Sequence, residues 1–354
     1  MSSEISLRII AAILVLATSA FVAAAQSSYS ESTEYTARQL SDKQRKKIKP
    51  PKSSELQVKE LTLPVSVRSS ATGGYISGLA SDDFAVFING LESEIVKFEA
   101  SATTPRNVVL LIDNSPSSSM IAAGILDLAN EMIDALAPND RIMIAKFNQE
   151  LEVVEKFTTD RTRLKKSTRK FRFGNGTSIY DTIHELSAKT LAAETEHVYV
   201  LLITDGVDTI SRRTDFERSL LDAEKGNVIY FPIYLDTLSQ LPPPPSVLGR
   251  IPGTDLPVPV TYSTAGQTAA EYQIGREFLD DLVHVSGGRH YYFDTAPSVR
   301  AQIIRAITGD LRSRYEITIK APVPTERIEH HRVKVRVTRP DLIVTAPGSL
   351  LTGY

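Results

Sequence analysis

The spacing of apolar residues changes twice along this chain. Between Leu56 and Phe98 it has a period of two: Leu61, Leu63, Val65 and Val67 alternate with polar residues, and so do Phe84, Val86 and Ile88. That is the signature of strands with one buried face. Gly73-Gly74 and Asn89-Gly90 interrupt it as turn signals. From Asn107 to about Leu311, short continuous apolar runs alternate with helical spacing. The runs predict strands over Val108–Ile112, Arg141–Phe147, His197–Thr204, Val228–Leu235 and Arg289–Phe293, with Val153–Phe157 as a short antiparallel edge. Helices are predicted over Met120–Leu136, Thr162–Lys170, Ile179–Leu191, Phe216–Glu224, Tyr272–Val285 and Val299–Arg312. Strands that are apolar throughout are buried on both faces, and strand–helix alternation builds a doubly wound, mostly parallel α/β sheet.

After Leu311 the period of two returns, in Tyr315, Ile317 and Ile319 and again in Val333, Val335 and Val337. Arg332, Lys334 and Arg336 fall on the opposite face of the second run, where charge protects a strand against edge pairing. Neither flanking set has enough strands to be stable alone. They are expected to pair as a small β-sandwich, made of an N-terminal segment (55–103) and a C-terminal one (313–354), with the α/β domain (104–312) inserted between them. Within that domain, 240–267 breaks the rhythm with Pro242 to Pro245, Pro252, Pro257 and Pro259. It reads as a surface insertion or as an arm presenting polyproline conformation to a partner.

The first residues change the picture in a different way. Arg8 precedes an apolar run from Ile9 to Ala25, and Ala23-Ala24-Ala25 offers small residues for cleavage. Residues 1–25 therefore read as an export signal, with periplasmic or secreted location expected, and an uncleaved inner-membrane anchor as the alternative. Residues 26–54, rich in Ser, Thr and Lys, read as a flexible linker. There is no cysteine, which excludes disulfides, thiolate metal sites, a catalytic thiol and lipid attachment through cysteine. A net charge of −2 gives no basic surplus for nucleic acid.

The candidate chemistry lies at the ends of the predicted strands. Asn107 to Ile112 leads into Asp113, with Ser115 and Ser117 two and four residues later. Thr177 sits in the loop before a predicted helix, and Asp205 ends the run Leu201 to Thr204. In an open α/β sheet, ligands bind beyond the carboxyl ends of the strands, where the winding reverses. Two carboxylates and three hydroxyls form an all-oxygen set suited to Mg²⁺, which binds near-octahedrally and retains waters. Such a set leaves the ion short of ligands, and a partner's Asp or Glu would complete the shell. Taken singly, each residue also has a plain reading, as a helix cap (Asp113, Ser115, Ser117, Thr177) or a turn (Asp205-Gly206).

Asp113-Asn114-Ser115-Pro116-Ser117, then Gly176-Thr177 with Asp181, then Thr204-Asp205-Gly206 resemble the metal-ion-dependent adhesion site of a von Willebrand factor type A domain. The resemblance covers roughly 105–312. It implies a Rossmann-like fold, Mg²⁺ or Mn²⁺, and binding of a protein ligand through an acidic residue. It further implies that Ser115, Ser117 and Thr177 coordinate by hydroxyl and that Asp113 and Asp205 often act through water. Pro116 stands where the family has glycine. It stiffens the loop, and either fixes Ser117 productively or displaces it. The layout also resembles an exported bacterial subfamily common in acidobacteria.

Enzymatic readings fare less well. Aspartyl-nucleophile phosphatases need a second aspartate two residues after the first, and here that residue is Ser115. There is no Gly-x-Ser-x-Gly elbow and no dinucleotide fingerprint, and His184-Glu185 lacks the second histidine of a zincin. His330-His331 reads as a solvated loop. Asp181 and Asp208 are expected to cap or support rather than to ligate. The expectation is a non-enzymatic, metal-dependent binding module. A structural envelope protein with a non-essential metal site is the alternative, and a phosphatase-like hydrolase ranks last.

Overall fold

The computed structural model describes residues 56–100, 104–174, 176–194, 196–240, 246–250, 257–261, 266, 268–324 and 329–352, all within the compact unit Ser54–Tyr354. The export signal, the linker and most of the proline-rich insertion lie outside the described residues. The strands are β1 (Leu56–Ser69), β2 (Phe84–Ile88), β3 (Leu91–Ser93), β4 (Ile95–Ala100), β5 (Asn107–Asp113), β6 (Arg141–Phe147), β7 (Leu151–Thr158), β8 (Val198–Thr204) and β9 (Val228–Tyr234). They continue with β10 (Ser246–Arg250), β11 (Pro257–Thr261), β12 (Tyr291–Tyr292), β13 (Arg314–Pro324), β14 (Glu329–Val337), β15 (Leu342–Thr345) and β16 (Ser349–Thr352). The α-helices are α1 (Ala122–Ala135), α2 (Arg161–Thr168), α3 (Ile179–Glu185), α4 (Phe216–Lys225), α5 (Ala269–Ser286) and α6 (Pro297–Arg312).

The central sheet has the order β12-β9-β8-β5-β6-β7. All its neighbours are parallel except β6 and β7, which pair antiparallel as the edge. Alternate residues of β5 serve the two faces. Val108, Leu110 and Ile112 join α1 and α6 side chains such as Leu128 and Ile307 in one core. Val109 and Leu111 join Ile183 of α3 and Phe278 of α5 in the other. From β5 the chain winds outward to β6 and β7, then returns to place β8 on the other side of β5. The switch point therefore falls between the carboxyl ends of β5 and β8, where ligands of open α/β sheets bind.

The flanking strands pair as the sequence predicts. One sheet runs β15-β1-β13-β4 and the other β16-β14-β2-β3. Leu63, Val65, Val86, Ile88, Ile317 and Val333 from both sheets share one core, in which Phe84, Phe98 and Tyr315 form a ring cluster with centroids 5.3–5.4 Å apart. Asn89 and Gly90, both at positive φ, make the tight turn between β2 and β3. The charged face of β14 is solvated, with Arg332, Lys334 and Arg336 exposed.

Four local expectations need correction. The strand expected over Arg289–Phe293 is only Tyr291–Tyr292: Gly287 caps α5 in the left-handed region, and Arg289 and His290 turn to Asp310 and Asp280. The helix expected from Met120 opens with a 3-10 turn, Ser117–Ile121. The one expected over Ile179–Leu191 passes into a π turn over Leu186–Thr190. His330-His331 is not a solvated loop. Both lie on β14, with His331 buried between Asn89 (3.0 Å) and Thr352 (2.6 Å), because a period-two strand places alternate residues inside. Ile317→Ala, at the centre of the sandwich core, is expected to cost about 2–5 kcal/mol in denaturant unfolding, while Lys334→Ala on the solvated face stays within about 0.5 kcal/mol.

Candidate metal centre

Four of the five predicted site residues meet at the switch point. The Asp113 carboxylate is fully buried; it accepts hydrogen bonds from Ser115 N at 2.9 Å and from Thr204 Oγ1 at 2.7 Å. Ser115 Oγ lies 3.1 Å from Ser117 Oγ. Ser117 Oγ in turn donates to Asp205 Oδ2 at 2.8 Å. The same oxygen accepts from Thr237 Oγ1 at 2.6 Å, and Asp205 Oδ1 accepts from Val207 N at 3.1 Å. Pro116 therefore fixes Ser117 rather than displacing it: at φ −61°, ψ −36° it starts the 3-10 turn that holds Ser117 toward Asp205.

Thr177 reaches this end of the sheet through its main chain. Its N–H donates to Thr209 Oγ1 at 2.8 Å, and its carbonyl accepts from Thr209 N at 2.8 Å, tying its loop to the one that carries Asp205. Thr177 is 5% exposed. Among the described residues no hydrogen bond joins its hydroxyl to the other four. Gly176, at φ +72°, supplies the left-handed turn before it, where a Cβ would lie 2.7 Å from Ile210.

The capping alternatives do not hold. The 3-10 turn, α1 and α3 each begin without a side-chain cap, and Ser178 instead donates to the carbonyls of Asn148 and Gln149. Asp181 and Asp208 accept hydrogen bonds from nearby backbone amides. Asp181 accepts from the amides of Arg212, Arg213 and Thr214. Asp208 accepts from Tyr180 N and from Ser211.

Two supporting residues, Thr237 and Tyr272, escaped sequence reasoning. Thr204 was visible as the polar end of an apolar run. Thr237 and Tyr272 carry no local signal. Thr237 lies past β9, and its hydroxyl is 2.7 Å from Tyr272 OH on α5. One turn further along α5, Gly275 rests on the residue that follows Asp205. A Cβ on Gly275 would lie 2.8 Å from the Gly206 carbonyl carbon and oxygen, and Gly206 itself is at φ +79°. Only two glycines allow that contact.

The electrostatics follow from burial. Desolvation, then the charge of Asp205, pushes the Asp113 carboxyl up to about 7, against hydrogen bonds from Ser115 and Thr204 that hold it down. Asp205 is raised as well, by burial, against hydrogen bonds from Thr237, Val207 and Ser117. Every partner of the pair is a neutral hydroxyl or amide, and no ion pair reaches either carboxylate among the described residues. Among the same residues there is no group of three or more His, Cys, Asp or Glu, so the donor set is two carboxylates with hydroxyls. That all-oxygen chemistry is of the kind that suits a divalent cation.

With this geometry in place, the comparisons identify the domain. Residues 108–207 match the von Willebrand factor type A domain family, and the chain carries a domain of that class. Such domains generally mediate protein–protein interaction and are often metal-dependent. No curated protein matches the chain. Among solved structures, the conserved hypothetical protein BatB of Bacteroides thetaiotaomicron is 16% identical over 59% of this chain and 100% of its own, with TM-score 0.41. A von Willebrand factor type A protein of Catenulispora acidiphila is 14% identical over 78% and 75%, with TM-score 0.42. Proximal thread matrix protein 1 of the mussel byssus, solved with a zinc-occupied MIDAS motif, is 11% identical over 64% and 49%, with TM-score 0.42. At these TM-scores the identification rests on the sequence match.

A raised carboxyl has a definite consequence for stability. An unfolded-chain aspartate titrates near 4; in the fold, burial and the charge of Asp205 push Asp113 up to about 7. Its ionisation penalty is complete above pH 7 and shrinks as pH falls toward 4. Metal-free Asp113→Asn is therefore expected to melt higher than metal-free wild type at pH 8, with the gap closing between pH 7 and pH 4. A gap in thermal scans that does not change with pH would show that the cost has another origin.

Proposed function

We propose that this protein is an exported, non-enzymatic binding module that captures an acidic side chain of a partner protein through a divalent cation, Mg²⁺ or Mn²⁺. Asp113, Ser115, Ser117, Thr177 and Asp205 hold the ion. The observation that carries this reading is the pair of buried carboxylates, Asp113 and Asp205, linked through hydroxyls and facing no basic group among the described residues. Buried carboxylates ordinarily have a positive partner or a metal. A cation here supplies the positive charge that balances them and the Lewis acidity that attracts an incoming carboxylate.

The chain's own residues prepare for that event. Thr204 and Thr237 each donate to one carboxylate oxygen, which fixes the two acids in orientation before any ion arrives. Ser115 and Ser117 are fixed by the rigid turn at Pro116. The second aspartate that an aspartyl-nucleophile phosphatase needs is missing: two residues after Asp113 stands Ser115, whose hydroxyl faces Ser117 and Ser118. This supports a binding role over a phosphatase-like one. Export rests on the composition of residues 1–25.

Calorimetry is the direct test. Wild type should take up Mg²⁺ or Mn²⁺ at one site, and Asp113→Ala should give no binding heat while keeping a folded circular dichroism spectrum. Equal uptake by both proteins removes the site. Thr237→Val, which deletes an orienting hydroxyl but no proposed ligand, should weaken metal affinity by roughly 10- to 100-fold. A partner from the native envelope that stays bound in chelator would favour the assembly role with a non-essential metal.

A further inference from the structure

The carboxyl edge of the central sheet does more than hold the acid pair. Thr204 is in register with Tyr234 on β9, and Tyr234 with Tyr292 on β12. In a parallel sheet, residues in register point to the same face, so a row runs from Asp113 through Thr204 and Tyr234 to Tyr292. The contacts agree: Asp113 meets Thr204 at 2.7 Å, and the Tyr234 and Tyr292 rings meet edge-on with centroids 6.0 Å apart. Tyr234 is buried, whereas Tyr292 is 56% exposed.

Arg276 of α5 stands over this row. Its Nη1 donates to Tyr234 OH at 3.2 Å. The side chain is exposed, and among the described residues no ion pair engages it. Its position relative to the acid pair is fixed. Gly275, the residue before it, packs on Gly206, the residue after Asp205, and Tyr272, one turn earlier, is held by Thr237. Helix α5 thus fastens an exposed guanidinium to the same loop that carries Asp205.

We propose that this surface is the second half of the partner site, and that the partner segment carries a second carboxylate three residues from the metal-bound one, received by Arg276 beside Tyr292. The inference rests on the metal-mediated reading above. The spacing follows from the geometry: neighbouring strands lie about 4.8 Å apart, so from the acid pair at the ends of β5 and β8 the Tyr234–Tyr292 pair is between one and three strands away, roughly 7–12 Å. An extended segment with three residues per turn and a rise of about 3.1 Å returns the same face after about 9 Å. Guanidinium binds carboxylate through two parallel N–H donors, which sets geometry as well as charge. The exposed Tyr292 ring offers an apolar wall to the residues between the two acids.

The probes are three fluorescein-labelled hexapeptides on an alanine–glycine background. One has two aspartates three residues apart, one has them adjacent, and one has a single aspartate. Binding to the Mn²⁺-loaded full chain is read by fluorescence anisotropy. The spaced peptide should bind about three- to tenfold more tightly than the adjacent one, which has equal charge. Arg276→Ala should equalise the two while leaving the Mn²⁺-dependent affinity of the single-acid peptide unchanged. Arg276→Lys should keep the charge but lose most of the spacing preference. If wild type binds the spaced and adjacent peptides equally, while the single-acid peptide still needs Mn²⁺, the Arg276 site is overturned and the metal reading stands. If no peptide shows Mn²⁺-dependent binding, the metal reading fails and this inference with it.

Discussion

Two carboxylates buried beside each other, with no ion-pair partner among the described residues, constrain the rest of this molecule. Burying one such group is costly and burying two that repel is more so. The fold meets that cost only in part, with hydrogen bonds from the hydroxyls of Thr204, Ser117 and Thr237 and from the amides of Ser115 and Val207. What remains is an attraction for positive charge at the carboxyl ends of β5 and β8. Everything around the pair keeps it there: a sheet whose winding reverses between β5 and β8, a proline-stiffened turn, and a helix resting on the loop of Asp205.

The support is rigid in a particular way. Gly206 and Gly275 bring two backbones into contact, and neither position has room for a methyl group. Through that contact and the Thr237–Tyr272 hydrogen bond, α5 shares a fixed frame with Asp205. The proline-rich insertion leaves the domain just after Thr237 and returns at Thr268, the capping residue of α5. Its departing stem thus adjoins Thr237, which orients Asp205, and its returning stem caps the helix that carries Tyr272. Gly266, at the returning stem, sits against Thr209, which in turn holds Thr177.

The β-sandwich contributes differently. Strand β13 follows directly from α6 and lies between β1 and β4, so the end of the α/β domain is sewn into the sandwich through backbone pairing. Tyr75 extends from the β1 side to the carbonyl of Ala306 and meets Arg289, while Gly309 leaves room for its ring. Such a joint makes the two parts one unit around α6. It explains why strands too few to be stable on each side of the domain suffice together.

The periodicities by themselves determined the layers of this protein. A strand buried on both faces must be apolar throughout and one with a solvated face must alternate, and both patterns are local. That Asp113 and Asp205 lie together was legible for a related reason: polar residues closing apolar runs of neighbouring strands have few places to go in an open sheet. What the sequence left open was decided by contacts between distant segments. Whether Pro116 fixes or displaces Ser117 depended on Asp205, far along the chain, accepting its hydroxyl. Thr237, Tyr272, Gly275 and Arg276 carry no periodic signal, since their roles exist only once α5 packs across the end of β8. The histidine pair shows the same limit from the other side, for a polar dipeptide is inside or outside according to the strand that pairs with it. Hydrophobic spacing sets which face of an element is buried; only packing sets which residues meet across it.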